Sequence, residues 1–213
     1  MGYLPEALSN YMAFLGWSPK SADREILSLE EISEIFDLSE INKAGAKFSW
    51  EKLNWINSQY IKNMESIKLI EIMRKYWDDN GWEPPSQEWA NKLAILLRDS
   101  MTLLKDSIDQ SKPFFLIPTI QKEGQDFLEN KDSKASLKLI LNYLIEQNTI
   151  KLNKEKAKEI INEISKMHNI KKGILMKSLR VAFFGSLSGP DLIQSWELFA
   201  ESKTDRTRIE RCL

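Results

Sequence analysis

An all-helical fold is the reading these 213 residues support, and three observations lead to it. Apolar residues recur at helical spacing, about 3.6 residues, along most of the chain. Only 8 glycines interrupt that rhythm. Helix-start signals also stand before apolar runs. The clearest is Ser28-Leu29-Glu30-Glu31, where hydroxyl and carboxylate three residues apart satisfy each other's backbone N–H groups.

The elements follow in order. Pro5 to Leu15 reads as a short helix with Leu8, Met12 and Leu15 on one face, ended by Gly16-Trp17-Ser18-Pro19. After a polar loop, Ser28 opens a helix carrying Ile32, Ile35 and Phe36. Leu38 to Phe48 is a connection. Trp50 to Ile61 is helical, with Leu53, Ile56 and Tyr60 at core spacing. Ser66 to Trp77 carries Ile67, Ile70, Met73 and Trp77 on one stripe and stops at Asp78-Asp79-Asn80-Gly81. Ser86 caps a helix expected from Gln87 to about Lys105, with the stripe Leu93, Leu97, Met101 and Leu104. Pro113-Phe114-Phe115 reads as an apolar elbow. Leu137 to Ile145, Lys154 to Met167 and Asp191 to Glu201 are further amphipathic helices, followed by a basic tail of Arg206, Arg208 and Arg211. Trp50, Trp55 and Trp77 read as core, and Trp82 and Trp89 as core or stacking platforms alike.

Composition excludes several classes. The 30 basic and 31 acidic residues nearly cancel, so any nucleic-acid surface must be local. One cysteine, Cys212, rules out a disulfide framework and a cysteine-rich metal site, and one histidine, His168, argues against histidine-based metal or proton chemistry, so no metal is expected. No run of 18 apolar residues and no signal peptide is seen, so a cytoplasmic protein free of the membrane is expected.

One region is locally basic: Lys151 to Arg180 holds nine lysines and arginines against three glutamates. It abuts Ser178 to Leu192, an apolar run with Arg180 that breaks into Gly185-Ser-Leu-Ser-Gly189-Pro190. A helix restarting at Asp191, with Pro190 in its first turn, would make an exposed loop opening onto a helix N-terminus. Leu187 at the centre of Gly-Ser-Leu-Ser-Gly excludes a nucleophile elbow, and no Gly-Lys-Ser/Thr follows, which excludes a P-loop. An ordinary helix–loop–helix turn beside a solvated face remains the plain alternative. The functional reading is a phosphate-tracking surface, with Lys171, Lys172 and Lys177, beside a base-reading loop.

Four stretches carry a family resemblance: Gly2 to Ser18 (G-Y-L-P-E-A-L-S-N-Y-M-A-F-L-G-W-S), Lys52 to Ile61 (K-L-N-W-I-N-S-Q-Y-I), Leu179 to Leu192 (L-R-V-A-F-F-G-S-L-S-G-P-D-L) and Arg208 to Leu213 (R-I-E-R-C-L). They lie in the order found in bacterial-type glutamyl-tRNA synthetases and span essentially the whole chain. The resemblance implies a stem-contact helical domain at 1–64, followed by an α-helical cage at 65–213 that holds the anticodon. It implies that Arg180, Gly189, Pro190 and Leu192 contact anticodon bases. Such bases are splayed out, stacked and read on their edges. Lys43 and Lys47 are candidates to reach the RNA backbone from the first domain, with ordinary surface lysines as the plain alternative.

The resemblance also marks absences. Family members bind ATP, with Mg, through H-I-G-H-like and K-L-S-K-R-like motifs in a catalytic domain, and neither motif occurs here. On this reading the chain starts just after the lysine loop. It holds no catalytic residue and no cofactor, is inactive alone, and belongs to a glutamate–tRNA ligase as a monomeric, tRNA-binding portion. Members restricted to tRNA-Glu tend to carry an arginine in the helix matching Leu96 to Lys105; Ser100 aligns there, and Arg98, two residues away, points elsewhere on a helix. That implies a parent enzyme relaxed toward tRNA-Gln. The alternatives are a stand-alone, non-catalytic RNA-binding helical protein and a helical scaffold with no RNA role.

Overall fold

The computed structural model describes residues 2–17, 24–41, 45–147 and 151–213. Among these residues there are twelve α-helices and one 3-10 turn, and no β-strand. The all-α expectation is met. The chain gathers into two compact units: Met1–Gly81 with Leu97–Gln110, and Trp82–Leu96 with Ser111–Leu213.

In the first unit, α1 (Pro5–Gly16) packs on α2 (Leu29–Ile35) and α3 (Trp50–Asn63), with α4 (Ser66–Asp79) following. The capping box at α2 is present in both halves: the Ser28 hydroxyl accepts from the Glu31 N–H at 3.2 Å, and the Ser28 N–H donates to the Glu31 carboxylate at 2.8 Å. Trp17, Leu27 and Ile32 form a small core with Phe14 and Ile35 packed against it.

The buried face of α1 is not the expected one. Leu4, Ala7, Asn10 and Tyr11 are buried, while Leu8 and Met12 face outward. Polar bonds decide it. The Asn10 side-chain Oδ1 accepts from the Leu27 N–H at 3.1 Å, the Tyr60 hydroxyl beside it donates to the Leu27 carbonyl at 2.6 Å, and the Tyr11 hydroxyl accepts from the Ser49 N–H at 2.6 Å. Buried polar groups must be paired, so these bonds outrank a Leu/Met stripe. Trp50 and Trp55 are exposed too, in contrast to Trp77, which is fully buried as expected. At about 100° per residue, Trp55 stands opposite the Leu53, Ile56 and Ile61 face of α3. Ile67 is 73% exposed, leaving Leu69, Ile70, Met73 and Trp77 as the buried side of α4.

The helix after Ser86 is shorter than its apolar stripe. Ser86 does cap it, its hydroxyl accepting from the Trp89 N–H at 3.1 Å, but α5 (Gln87–Arg98) stops at Arg98. The Asp106 carboxylate takes the N–H groups of Thr102 and Leu103, at 3.0 and 2.8 Å. Asn57, fully buried, accepts from the Leu4 N–H at 2.8 Å and donates to the Thr102 carbonyl at 2.6 Å. These bonds draw residues 99–105 out of the helix, although Leu97, Met101 and Leu104 remain buried. The segment expected as an elbow is the end of α6 (Asp106–Phe115), with Pro113 inside it.

The second unit continues with α7 (Lys122–Leu128), α8 (Lys131–Glu146), α9 (Lys154–His168), α10 (Lys172–Phe184), α11 (Leu192–Glu201) and α12 (Asp205–Glu210). Helix α10 packs on α8, α9 and α12, and α11 packs on α9. Phe199 is the centre of an aromatic core, with Phe114 and Phe183 at 4.9 Å and Phe184 at 5.8 Å. Trp89 belongs to the interior as well, donating from Nε1 to the Leu198 carbonyl at 2.8 Å. Trp82 is buried and stacks on Phe115 at 5.3 Å. Lys92 is set among Glu88, Glu197 and Glu201. Burial works against its charge, but bonds to the three carboxylates outweigh that and raise its pKa.

Candidate nucleic-acid interface

Helix α10 leads directly into the loop singled out by sequence. Its buried side is Leu175, Ser178, Leu179 and Ala182. On a helix turning about 100° per residue, Lys172, Met176, Arg180, Gly173 and Lys177 then share an arc of about 140°, with Arg180 at its middle. Lys172, Met176 and Lys177 are exposed, and Arg180 is half-buried. Lys171, exposed as well, is the N-cap of the same helix.

The helix ends at Gly185, which has φ +71° and donates its N–H to the Val181 carbonyl at 2.9 Å. A Cβ at Gly185 would overlap the Thr119 carbonyl, so the close approach and the left-handed backbone both require glycine. The Gly185 carbonyl accepts from the Gln121 N–H at 2.8 Å. Ser186 folds the loop on itself, donating to the Ser188 carbonyl at 2.8 Å. Gly189, at φ +154°, lies over the Phe184 ring, and a Cβ there would come within 2.8 Å of it.

Arg180 holds the far side of the loop. Its Nη1 donates to the carbonyls of Gly189 and Pro190, both at 3.0 Å. No bond of its Nη2 or Nε is found among the described residues, so one edge of the guanidinium braces the loop while the other keeps its donors. Pro190 sits one residue before the cap rather than in the first turn. Asp191 is the N-cap of α11, accepting from the Gln194 N–H at 2.9 Å, because a carboxylate satisfies that orphan donor better than proline can. Leu192 follows as the first helical residue and is 1% exposed, so its side chain is core. It contributes its backbone N–H, which with that of Ile193 points out of the helix start. Gly189 is exposed and Pro190 half-buried.

The remaining predicted residues belong by sequence range to the other unit. Ser100 is in the first unit, exposed, in a turn instead of a helix. Its hydroxyl donates to the Leu97 carbonyl at 2.7 Å and meets Gln110 Oε1 at 2.6 Å, while Gln110 Nε2 donates to the Ser100 carbonyl at 3.2 Å. Gln110, missed by sequence, is therefore its partner. Arg98 does point away, but through contacts with the Met64 carbonyl at 3.5 Å and the Ser66 hydroxyl at 3.3 Å, not through helical rotation. Lys47 is exposed. Lys43 lies outside the described residues.

The basic tail is not a tail. Arg208 is 1% exposed, with its guanidinium 4.3 Å from the centre of the Phe199 ring. It donates to the carbonyls of Phe183 at 3.1 Å and Leu116 at 3.3 Å, and to the Thr204 hydroxyl at 3.2 Å. Burial, and secondarily the charge of Arg211, lowers its pKa to about 10. Arg211 donates to the Ala182 carbonyl at 3.2 Å and to the Pro118 carbonyl. Arg206 donates to the Leu144 carbonyl at 2.7 Å. Cys212 is a buried free thiol whose pKa burial pushes up.

Residues 68–213 match the family model of the anticodon binding domain, and the chain belongs to that family. Residues 1–55 match the model of the catalytic domain of class I tRNA synthetases (E and Q). Over its full length the chain is similar to glutamate–tRNA ligases. It is 95% identical to that of Prochlorococcus marinus strain AS9601, 69% to that of strain MIT 9515 and 46% to that of strain NATL2A, spanning 45% of each relative's length. A crystal structure of a glutamate–tRNA ligase from Elizabethkingia meningosepticum, solved in complex with its amino acid, superposes with a TM-score of 0.91 at 30% identity, covering 99% of this chain and 41% of that one. The expected resemblance is thereby met, for a chain corresponding to less than half of those enzymes. No helix among the described residues is long and apolar enough to cross a membrane.

Proposed function

We propose that this chain is the tRNA-binding portion of a cytoplasmic, monomeric glutamate–tRNA ligase, and that Gly185–Leu192 reads anticodon bases. The observation that carries the reading is the brace from Arg180 to the Gly189 and Pro190 carbonyls, which holds an exposed loop open with free guanidinium donors beside it. Unstacked bases are recognised by such edges and planes. Pro190 and the close-approaching backbone at Gly189 offer a contact surface, and Lys171, Lys172 and Lys177 supply charge for phosphates. In this reading residues 1–64 are the stem-contact domain, with Lys47 and Lys43 toward the RNA backbone, and 65–213 the anticodon cage. A boundary near 64 is compatible with the two matched stretches, 1–55 and 68–213. Ser100, paired with Gln110, presents amide and hydroxyl groups in place of a forked cation, which supports a parent enzyme that accepts tRNA-Gln as well as tRNA-Glu.

Binding of this chain to tRNA-Glu, tRNA-Gln and tRNA-Glu with an altered anticodon, at one stated salt concentration, tests the reading. Loss of affinity on altering the anticodon is expected, with tRNA-Gln bound comparably to tRNA-Glu. Equal binding of all three would reduce the interaction to phosphate contacts. The 213 residues also lack both motifs through which family members bind ATP, and on this reading ATP and Mg are bound outside this chain. ATP–pyrophosphate exchange by this chain alone, with glutamate and tRNA supplied, should therefore stay at background; a rate above it refutes the assignment.

A further inference from the structure

The last turn of α10 ends beneath the reading loop, and three of its orphan carbonyls have protein partners. The Val181 carbonyl takes the Gly185 N–H. The next two, Ala182 and Phe183, are taken by Arg211 and Arg208 respectively. Each arginine reaches a second segment with another donor: Arg208 the Leu116 carbonyl and Arg211 the Pro118 carbonyl. That segment, 116–121, is the one that presses on Gly185, through Thr119 and through the Gln121 N–H. Two guanidinium groups thus join the helix end to the strut that fixes where the loop begins. Cations at a helix C-terminus are favoured by its dipole, and the planar fork lets one side chain serve two carbonyls in fixed geometry.

The burial of Arg208 needs a reason. It lies under the Phe199 ring face with carbonyl and hydroxyl partners and, among the described residues, no carboxylate in hydrogen-bond contact. An apolar side chain would fill that space without the cost of desolvating a charge. Geometry is what the arginine adds.

We infer that Arg208 and Arg211 are positioning residues for anticodon recognition, holding the Gly185 end of the loop in the one place where Arg180 can brace the other end. The inference rests on the reading of the loop given above. Loss of either arginine frees the loop start while leaving the exposed lysines of α10 untouched, so specific binding falls and phosphate-driven binding stays.

The test uses Arg211→Lys, which keeps the charge and loses the fork at a half-buried site, and Arg208→Met, which keeps the packing volume. Affinity for tRNA-Glu is compared with affinity for the altered-anticodon tRNA, and amide hydrogen exchange is followed at Ser186 to Ser188. The expected result is a fall of about tenfold in the affinity ratio, the scale of one charge-assisted hydrogen bond. Altered-anticodon binding should stay unchanged and amide exchange should quicken. An unchanged ratio, or a parallel loss for both tRNAs, in a folded variant overturns the inference. Should Arg208→Met fail to fold, Arg211→Lys decides alone. If the wild-type chain shows no discrimination, the reading of the loop fails, and exchange then judges the positioning separately: unaltered exchange at Ser186 to Ser188 overturns it.

Discussion

Gly185→Ala should destabilise the second unit by about 2–5 kcal/mol, read by urea or thermal unfolding. Two causes add. The residue sits at φ +71°, where a Cβ costs about 1–2 kcal/mol. That Cβ would also overlap the Thr119 carbonyl, which is backbone and cannot rotate aside. Relief means moving the segment 116–121 or the loop, and either movement breaks the 2.8 Å bond from the Gln121 N–H to the Gly185 carbonyl. Leaving the Gly185 carbonyl unpaired in a buried place costs about 1–3 kcal/mol. Gly173→Ala is the control. It lies in the first turn of the same helix, and beyond its chain neighbours and the helix's own backbone nothing lies within 4 Å of its Cβ position, so alanine there should be neutral or stabilising by up to about 1 kcal/mol. A Gly185→Ala chain as stable as Gly173→Ala would mean that Thr119 is not where the structure puts it.

What could be read from sequence, and what could not, divides by range of interaction. The Ser28–Glu31 capping box and the Ser86 cap depend on residues three apart, and both are present as expected. The loop between Gly185 and Asp191 was visible for the same reason, since glycine, proline and aspartate declare their backbone preferences locally. The errors come from long-range polar bonds. Asn10, Tyr11 and Asn57 set the buried face of α1 and the end of α5 by pairing with backbone groups far along the chain, and a search for apolar spacing has no sensitivity to that. Helix α7 has few apolar residues and a glycine in its first turn, so it shows no apolar periodicity.

The site divides in the same way. Arg180 was found because it is the one cation in an apolar run, but its role as a brace required the loop to be folded. Leu192 carries the same residue type whether it stacks on a base or fills the core, and the structure places it in the core. Arg206, Arg208 and Arg211 look like a solvated basic tail because charge alone does not reveal burial. The clue lay in Phe183 and Phe199, which supply the aromatic surface over which a guanidinium can be buried.

Arg180→Ala should abolish most of the anticodon dependence of binding, lowering the ratio of affinities for tRNA-Glu and altered-anticodon tRNA by about tenfold to a hundredfold. The scale is that of one base contact by hydrogen bonding or stacking, about 1–3 kcal/mol. Two losses coincide in this variant. The free edge of the guanidinium is gone, and so is the tether on the Gly189 and Pro190 carbonyls that keeps the loop open. Arg180→Lys separates them. An ammonium can hold a carbonyl but presents no plane or fork, so lysine should restore slow amide exchange in the loop without restoring discrimination. Lys177→Gln, on the same helix face, is the contrast. Loss of a phosphate-contacting lysine weakens binding of every tRNA alike and reduces the slope of log affinity against log salt by about one. If Arg180→Ala behaves like Lys177→Gln, with a shallower salt slope and an unchanged affinity ratio, Arg180 is another phosphate contact and the bases are read elsewhere. If the ratio collapses at constant slope, the half-buried arginine of α10 reads the anticodon and the exposed lysines around it hold the RNA in place.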